Sequence, residues 1–266
     1  MTTLGENVTA LEVDGVFDDC QRLVKEAFVD PVLRERLWLT SANSINIARL
    51  IPQMFYYFWA VAQLWRSSPL FKGGLRGVIV SVPSGNFGNL TAGLIAKRMG
   101  LPVKKFIAAT NVNDVVPEYL ETTIFRPRAS IATISNAMDV GNPSNFARML
   151  SMYPAVEALR DDVVGIRVSE QETKDALESV LRDHHYQLDP HGAVGYVALR
   201  RYLEEHPDDQ GVFLETAHPA KFLDVELPVS LSECLSKTKK SIRRRLLRIV
   251  EVDMWTWVCS FGILKS

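Results

Sequence analysis

The sequence contains little that would support a disulfide, a metal site or a membrane span. Its three cysteines, Cys20, Cys234 and Cys259, are widely spaced and odd in number. They suit a reducing compartment and give neither a disulfide framework nor a metal-ligand spacing. No apolar run reaches the roughly 18 residues that a membrane span needs, and the N-terminus lacks the basic and apolar segments of a secretory signal. We therefore expect a cytoplasmic protein without a bound metal.

A net charge of either sign is also lacking. The 30 basic and 31 acidic residues give a formal charge of −1, which argues against general attraction to nucleic acid or membrane. The exception is the tail 237–266, where a basic stretch precedes an aromatic and apolar one. This pattern is typical of a membrane-surface segment or of a solvated charge run beside a poorly folded end, and we favour the second interpretation.

The hydrophobic pattern predicts an α/β chain. Val78–Val82 has the composition of a buried strand, Leu90–Met99 that of a helix ended by glycine and proline, and Val103–Ala109 that of a second strand. A strand, a helix and a strand in this spacing form a βαβ unit, which implies a parallel sheet.

Further elements are predicted on both sides of this unit. A capping box at Ser169–Glu172 opens a helix that runs to about Asp183, and Asp189 and Pro190 start another. We also expect a strand at Val8–Val13, a helix opened by Pro31, a buried helix after Ser44, irregular chain with short helices over 111–149, and a strand at Val212–Leu214.

The turn inside the βαβ unit is rich in glycine and asparagine and reads SVPSGNFGN. Glycine-rich turns before a helix are anion sites, because backbone N–H groups converge there and the helix dipole favours negative charge. Gly85 and Gly88 do not match the G-x-G-x-x-G or P-loop spacing, so NAD and nucleoside triphosphates are poor candidates. Asn86 and Asn89 add donors, and Asn89 or Thr91 can cap the helix. The turn predicts a small phosphate or carboxylate ligand, with a purely structural tight turn as the alternative.

Five longer strings occur in order along the chain and carry a resemblance. They are Ser41–Arg49 (SANSINIAR), Pro83–Asn89 (PSGNFGN), Phe106–Asp114 (FIAATNVND), Ser135–Asp139 (SNAMD) and Thr216–Phe222 (TAHPAKF). Together they resemble the bacterial and fungal threonine synthases, pyridoxal-phosphate enzymes of the tryptophan-synthase-β fold group. The resemblance runs from the first residues to about Phe222.

This resemblance implies a fold and a domain organisation. The expected fold is α/β of pyridoxal-phosphate fold type II, with a parallel-sheet large domain and part of a second domain, truncated at the N-terminal side. Residues 1–40 would be the remainder of the smaller cofactor domain, 41–236 the large phosphate-binding domain, and 237–266 an atypical tail.

The resemblance also implies site residues and a cofactor, pyridoxal 5′-phosphate. Thr216 would lie at the pyridine nitrogen, where a hydroxyl leaves that nitrogen largely unprotonated. Arg49 would meet the substrate phosphate or form an interdomain salt bridge. His191 has a family counterpart, for which we expect a structural role. The phosphate would lie on Gly85, Asn86, Phe87, Gly88 and Asn89, and Ser44, Asn46 and Arg49 would face the active-site cleft.

One part of the family pattern is missing. The lysine that forms the Schiff base lies in a Phe-Lys-Asp context in these enzymes, and Phe-Lys-Asp does not occur in this sequence. We therefore expect no catalytic residue in this chain and no conversion of O-phospho-L-homoserine by the chain alone. A complementing N-terminal fragment would have to supply the lysine. The alternatives are a non-catalytic phosphate-binding pseudoenzyme or fragment, and a related phospho-lyase acting on another small phosphorylated amino compound.

Overall fold

The computed structural model describes residues 11, 13–15, 17–41, 43–67, 77–217, 219 and 261–264. The strands of these residues form one sheet in the order β3-β2-β1-β4-β5. The first four are parallel, and the last is antiparallel to its neighbour. Their bounds are β1 Val78–Pro83, β2 Val103–Thr110, β3 Val163–Arg167, β4 Gly211–Leu214 and β5 Phe261–Leu264.

Within the described residues, three α-helices precede β1, and six others connect the strands from β1 to β4. Short 3-10 turns lie at Ile47–Arg49 and Asn136–Met138. The α-helices are α1 Phe17–Val29, α2 Pro31–Arg36, α3 Leu50–Ser67, α4 Gly88–Arg98, α5 Val115–Thr122, α6 Phe146–Met152, α7 Val156–Asp162, α8 Glu170–His184 and α9 Pro190–Glu205.

Two hydrophobic layers cover the sheet, one on each face. Val80 and Val82 point from β1 into the layer formed with helices α3 to α7, and Ile79 points into the layer formed with α8 and α9. This alternation places consecutive strand residues on opposite faces. Because both faces are covered, β1 is buried along its whole length, as expected for a strand of a parallel sheet.

The structure confirms the βαβ unit and the capped helices. β1 and β2 pair in parallel with α4 between them. Ser169 and Glu172 make both hydrogen bonds of a capping box, and the Asp189 carboxylate accepts from the backbone of α9. Pro31 opens α2, where Asp30 caps the helix. The caps were predictable because the residues of each cap lie within four positions of one another.

One expectation from the sequence was wrong, and one pair of elements was not predicted. The long apolar helix is not buried all round, because Ile51, Phe55 and Trp59 lie on an exposed face and are more than half exposed. The pair α7–β3 was not predicted, since its residues 156–167 mix short charged and apolar runs without a clear period.

The predicted strand Val8–Val13 lies almost wholly outside the described residues. The basic stretch of the tail also lies outside the described residues. Of the tail 237–266, the structure describes only Phe261–Leu264. These four residues pair as a strand with β4 at the edge of the sheet. None of the helices described combines the length and apolarity that a bilayer crossing requires.

Candidate functional site

The candidate site lies where two neighbouring parallel strands end. From β1 the chain moves outward to β2 and then β3, and it later returns to place β4 on the other side of β1. The crevice beyond the carboxyl ends of two such strands, where strand order reverses, is the usual ligand position in open α/β sheets. Residues 84–89 follow β1 and Thr216 follows β4, so the fold brings these two predicted segments to one edge.

The turn after β1 offers backbone donors to a ligand. Across the described residues, the N–H groups of 85–90 donate no hydrogen bond, whereas Ser84 N–H donates to Ala109 O at 2.8 Å. Phe87 has a left-handed conformation with φ 60° and is the residue before α4. The unpaired N–H groups therefore lie at the positive end of a helix dipole, where an anion is stabilised.

Two glycines allow close packing around this turn. A Cβ on Gly85 would lie 2.7 Å from Met138 Cα and 2.8 Å from Ala137 O, and one on Gly88 would lie 2.7 Å from Ser44 Cβ. The turn is therefore enclosed by the 3-10 segment 136–138 on one side and by the loop containing Ser44 on the other. Glycine is required here for close approach between backbones.

The Asn86 side chain makes three hydrogen bonds within the protein. Its Nδ2 donates to Ser44 Oγ at 3.0 Å, and its Oδ1 accepts from Ser144 N at 2.7 Å and Ser144 Oγ at 2.9 Å. The amide oxygen and one amide N–H are therefore engaged within the protein, which leaves the second amide N–H and the backbone N–H of Asn86 as donors to a ligand.

The Asn89 amide is held through its oxygen. Asn89 Oδ1 accepts from Tyr57 OH at 2.6 Å and from Tyr56 OH, which leaves its NH2 as a side-chain donor. The expectation that Asn89 or Thr91 caps α4 was wrong, since the residue at the cap position is Phe87 and no side chain caps it. Thr91 instead donates from Oγ1 to Phe87 O at 2.6 Å. The Phe87 side chain is buried in the core, so this residue offers only its backbone to a ligand.

The loop with Ser44 and Asn46 packs beside the turn. Ser44 Oγ accepts from Asn86 and from Asn145 Nδ2 at 3.1 Å. The Asn46 side chain is occupied locally, accepting from Ala48 N and donating to Ser41 O, both at 3.1 Å. Arg49 is exposed at the end of the 3-10 turn. Of these three predicted residues, only Arg49 is exposed, whereas Ser44 and Asn46 are partly buried.

Arg148 is a residue that the sequence analysis missed. Its guanidinium donates to Ser44 O at 2.8 Å and also to Ile45 O, so it anchors the loop to α6. Asn145 likewise donates to Asn86 O at 3.0 Å. Both lie in a segment predicted only as irregular chain, and no local pattern marks an arginine that bonds to backbone about a hundred residues away.

A second polar cluster holds the chain beyond β2. The Asp139 carboxylate accepts from Asn111 at 2.8 Å, from Asn113 at 3.1 Å and from Thr133 Oγ1 at 2.7 Å. Asn111 also donates to Ser135 Oγ at 3.0 Å. Two of the five ordered strings are thus joined side by side, and they fix the 3-10 segment that packs on Gly85.

At the end of β4 the chain changes abruptly from buried to exposed. Glu215 is buried and Thr216 is exposed at the carboxyl edge of the sheet. His191, expected to be structural, is buried, with Nδ1 2.7 Å from Asp189 Oδ1 and Nε2 accepting from Ala137 N at 3.2 Å. It therefore ties the N-terminus of α9 to the same 3-10 segment.

The pattern of donors suits a phosphate ester. Unpaired N–H groups at a helix start, two glycines that admit close approach, and an exposed hydroxyl across the crevice form a site with donors at one end and a hydroxyl at the other. Such a site fits a ligand that carries a phosphate at one end.

Comparison with known proteins gives consistent matches. The family described as pyridoxal-phosphate dependent enzyme matches residues 1–216. Threonine synthase from Escherichia coli K12 is 47% identical over 253 residues, which cover 95% of this chain and 56% of that protein.

Solved structures agree with these matches. The crystal structure of threonine synthase from Escherichia coli has a TM-score of 0.75 at 46% identity, covering 87% of this chain and 54% of that one. The PLP-bound threonine synthase from Brucella melitensis has a TM-score of 0.70 at 38% identity, covering 84% and 51%. The chain thus spans about half the length of the relatives it matches.

Proposed function

Since the chain belongs to the pyridoxal-phosphate dependent enzyme family, we propose that it forms the phosphate-holding part of a threonine synthase. The reaction of that enzyme converts O-phospho-L-homoserine and water to L-threonine and phosphate. The single observation that carries this proposal is the run of unpaired N–H groups at 85–90, at the sheet edge that also presents Thr216.

Each end of the cofactor would have a partner in this chain. The phosphate of pyridoxal 5′-phosphate would be held by the backbone of Gly85, Asn86, Phe87, Gly88 and Asn89. The Thr216 hydroxyl would meet the pyridine nitrogen and leave it largely unprotonated. When bound, the cofactor supplies an electron sink for carbanion chemistry, and the protein supplies its position and its surroundings.

The substrate would enter beside the Ser44 loop. Arg49 is exposed there and carries a guanidinium, which binds phosphate through paired hydrogen bonds. Ser44 and Asn46 would act through the shape of the loop, since their side chains already bond within the protein. The substrate is thus a small phosphorylated amino acid.

The chain alone would be inactive. The 266 residues contain no Phe-Lys-Asp, and the reaction needs the amine of that lysine as its acid and base. A complementing fragment would supply it. Apolar side chains that such a fragment could cover are exposed near α2, including Val32, Leu37 and the fully exposed Trp38.

The proposal is tested by calorimetric titration and by assay. We expect the purified chain to bind pyridoxal 5′-phosphate and, more weakly, inorganic phosphate, and to form no threonine. Co-expression with the N-terminal part of the Escherichia coli threonine synthase should restore activity. Threonine formation by the chain alone would refute its inactivity, and failure to bind either ligand would refute the proposed site.

Two other functions would give different results. A pseudoenzyme would bind the cofactor but gain no activity from the complementing fragment. A related phospho-lyase would gain activity with another phosphorylated amino compound and none with O-phospho-L-homoserine.

A further inference from the structure

Two buried carboxyl groups lie side by side where β4 meets α9. Asp189 is wholly buried and Glu215 is 6% exposed. Glu215 Oε2 lies 3.5 Å from Asp189 N, and Glu215 Oε1 lies so close to α9 that a Cβ on Gly192 would come within 1.9 Å of it. The absence of a side chain at Gly192 therefore makes room for a glutamate at position 215.

One oxygen of each carboxyl group accepts no hydrogen bond from the described residues. Asp189 Oδ1 accepts from His191 N at 2.8 Å and faces His191 Nδ1 at 2.7 Å. Within the part of the chain that the structure describes, Asp189 Oδ2 and Glu215 Oε1 are buried and have no donor. Two neighbouring buried carboxyl groups of this kind would be strongly unfavourable if both were ionised.

The neighbouring imidazole does not supply a compensating charge. His191 Nε2 accepts a hydrogen bond from Ala137 N–H at 3.2 Å, so that nitrogen carries no proton. The ring is then neutral, with its proton on Nδ1 and donated to Asp189 Oδ1. Among the described residues, no lysine or arginine pairs with either carboxyl group.

We propose that Glu215 and Asp189 share a single proton, and that the resulting hydrogen bond fixes the end of β4, next to Thr216, to the N-terminus of α9. The proton resides on Glu215, whose neutral acid donates to Asp189 Oδ2. Glu215 is thus a positioning residue, one position before the hydroxyl predicted to meet the cofactor.

The direction of both titrations agrees with this assignment. Burial and the neighbouring Asp189 charge raise the pKa of Glu215 from its ordinary value of 4.5 to about 10. Burial opposes ionisation of Asp189, but hydrogen bonds from His191 and Glu215 outweigh it and hold the pKa of Asp189 below its ordinary value. A pair with one shared proton behaves in this way.

The hydrogen bonds continue to the phosphate turn. Glu215 bonds to Asp189, Asp189 to His191, and His191 to the backbone of Ala137. Ala137 O in turn packs against Gly85. The chain of contacts thus connects the residue beside Thr216 to the turn that would hold the phosphate, and it sets the spacing between the two ends of the site.

The shared proton is tested by unfolding in denaturant at several pH values, without any ligand. The folded state keeps a proton on Glu215 that the unfolded state releases above its ordinary pKa of 4.5. The unfolding constant of the wild type relative to E215Q should therefore rise about tenfold per pH unit between about pH 6 and 9. A ratio that does not change with pH would overturn the proposal.

Two further measurements make this test specific. The exposed Glu205 is the matched control. The ratio of the unfolding constant of the wild type to that of E205Q should stay constant over the same pH range. In the unaltered protein, carboxyl-carbon NMR with labelled glutamate should show one glutamate still protonated at pH 8. Titration of all glutamates near their ordinary values would overturn the proposal even if E215Q failed to fold.

The positioning role rests on the proposed function and is tested separately. Pyridoxal 5′-phosphate reaches both ends of the site, whereas inorganic phosphate reaches only the turn. We expect E215A to bind pyridoxal 5′-phosphate about tenfold more weakly, as for one lost hydrogen bond. Its affinity for inorganic phosphate should be unchanged. E215Q, which keeps the hydrogen bond, should restore cofactor affinity.

Other outcomes of this experiment are equally decisive. Equal loss of both affinities in E215A, or loss of neither, would overturn the positioning role. If the wild type bound no pyridoxal 5′-phosphate, the proposed function would fail, but the pH test of the shared proton would still decide the proposal about Glu215 and Asp189.

Discussion

Replacing Gly85 by alanine should loosen the proposed phosphate site. The added Cβ would lie 2.7 Å from Met138 Cα and 2.8 Å from Ala137 O, and both atoms belong to the backbone. A side chain cannot turn away to relieve this contact. The turn and the 3-10 segment must separate by about 0.7 Å to reach ordinary contact, and overpacking of this kind costs about 1–3 kcal/mol of unfolding free energy.

The same displacement would act on the ligand. An N–H···O bond with an optimal length of about 2.9 Å would become about 3.6 Å long after a shift of this size, which is beyond hydrogen-bonding range. One lost hydrogen bond to a charged phosphate corresponds to about 1.5–3 kcal/mol. Phosphate and pyridoxal 5′-phosphate should therefore bind about 10-fold to 150-fold more weakly in G85A.

Gly165 offers a matched control for this experiment. A Cβ there would lie 2.7 Å from Pro117 Cα, again a backbone atom, but on β3, which is separated from β1 by β2. G165A should lower stability by a similar amount and leave ligand affinity unchanged. Calorimetric titration and denaturant unfolding of both variants would refute the reasoning if G85A bound normally or if G165A lost affinity equally.

Three further results are expected. N86A should lose about 1–3 kcal/mol of stability in denaturant unfolding, because three hydrogen bonds to Ser44 and Ser144 disappear, while phosphate affinity by titration should fall less than in G85A. S169A should cost about 1 kcal/mol in the same unfolding assay, since it removes the cap of α8. Serine at both Phe55 and Trp59 should reduce self-association in sedimentation experiments, because this exposed apolar face drives contact; unchanged association would contradict that role.

Much of the frame follows from signals that are local in the sequence. The glycine turn between strand and helix and the caps at Ser169 and Asp189 each depend on residues within a few positions. The α/β class and the parallel sheet follow from the order of these elements. The resemblance of five ordered strings then pointed to the cofactor, and the family match confirms that class of protein.

The use of individual side chains could not be predicted in the same way. Asn86 looked like a ligand donor, but its amide bonds to Ser44 and Ser144, which are 42 and 58 positions away. The face of α3 that carries Phe55 is exposed, although its composition predicted burial. Partners at such separations are set by how the strands and helices pack, and no local pattern records them.

The sequence by itself thus determined a glycine-rich turn that enters a helix after the first strand, and this turn predicts an anion site because backbone N–H groups at a helix start favour negative charge. Only the tertiary structure decided which residues lie at the same edge of the sheet as this turn. The return of the chain to β4 beside β1 places Thr216 at the same edge and brings Glu215 against Asp189. The physical reason is that hydrogen bonding and burial depend on neighbours in space, and the parallel sheet brings together residues more than a hundred positions apart.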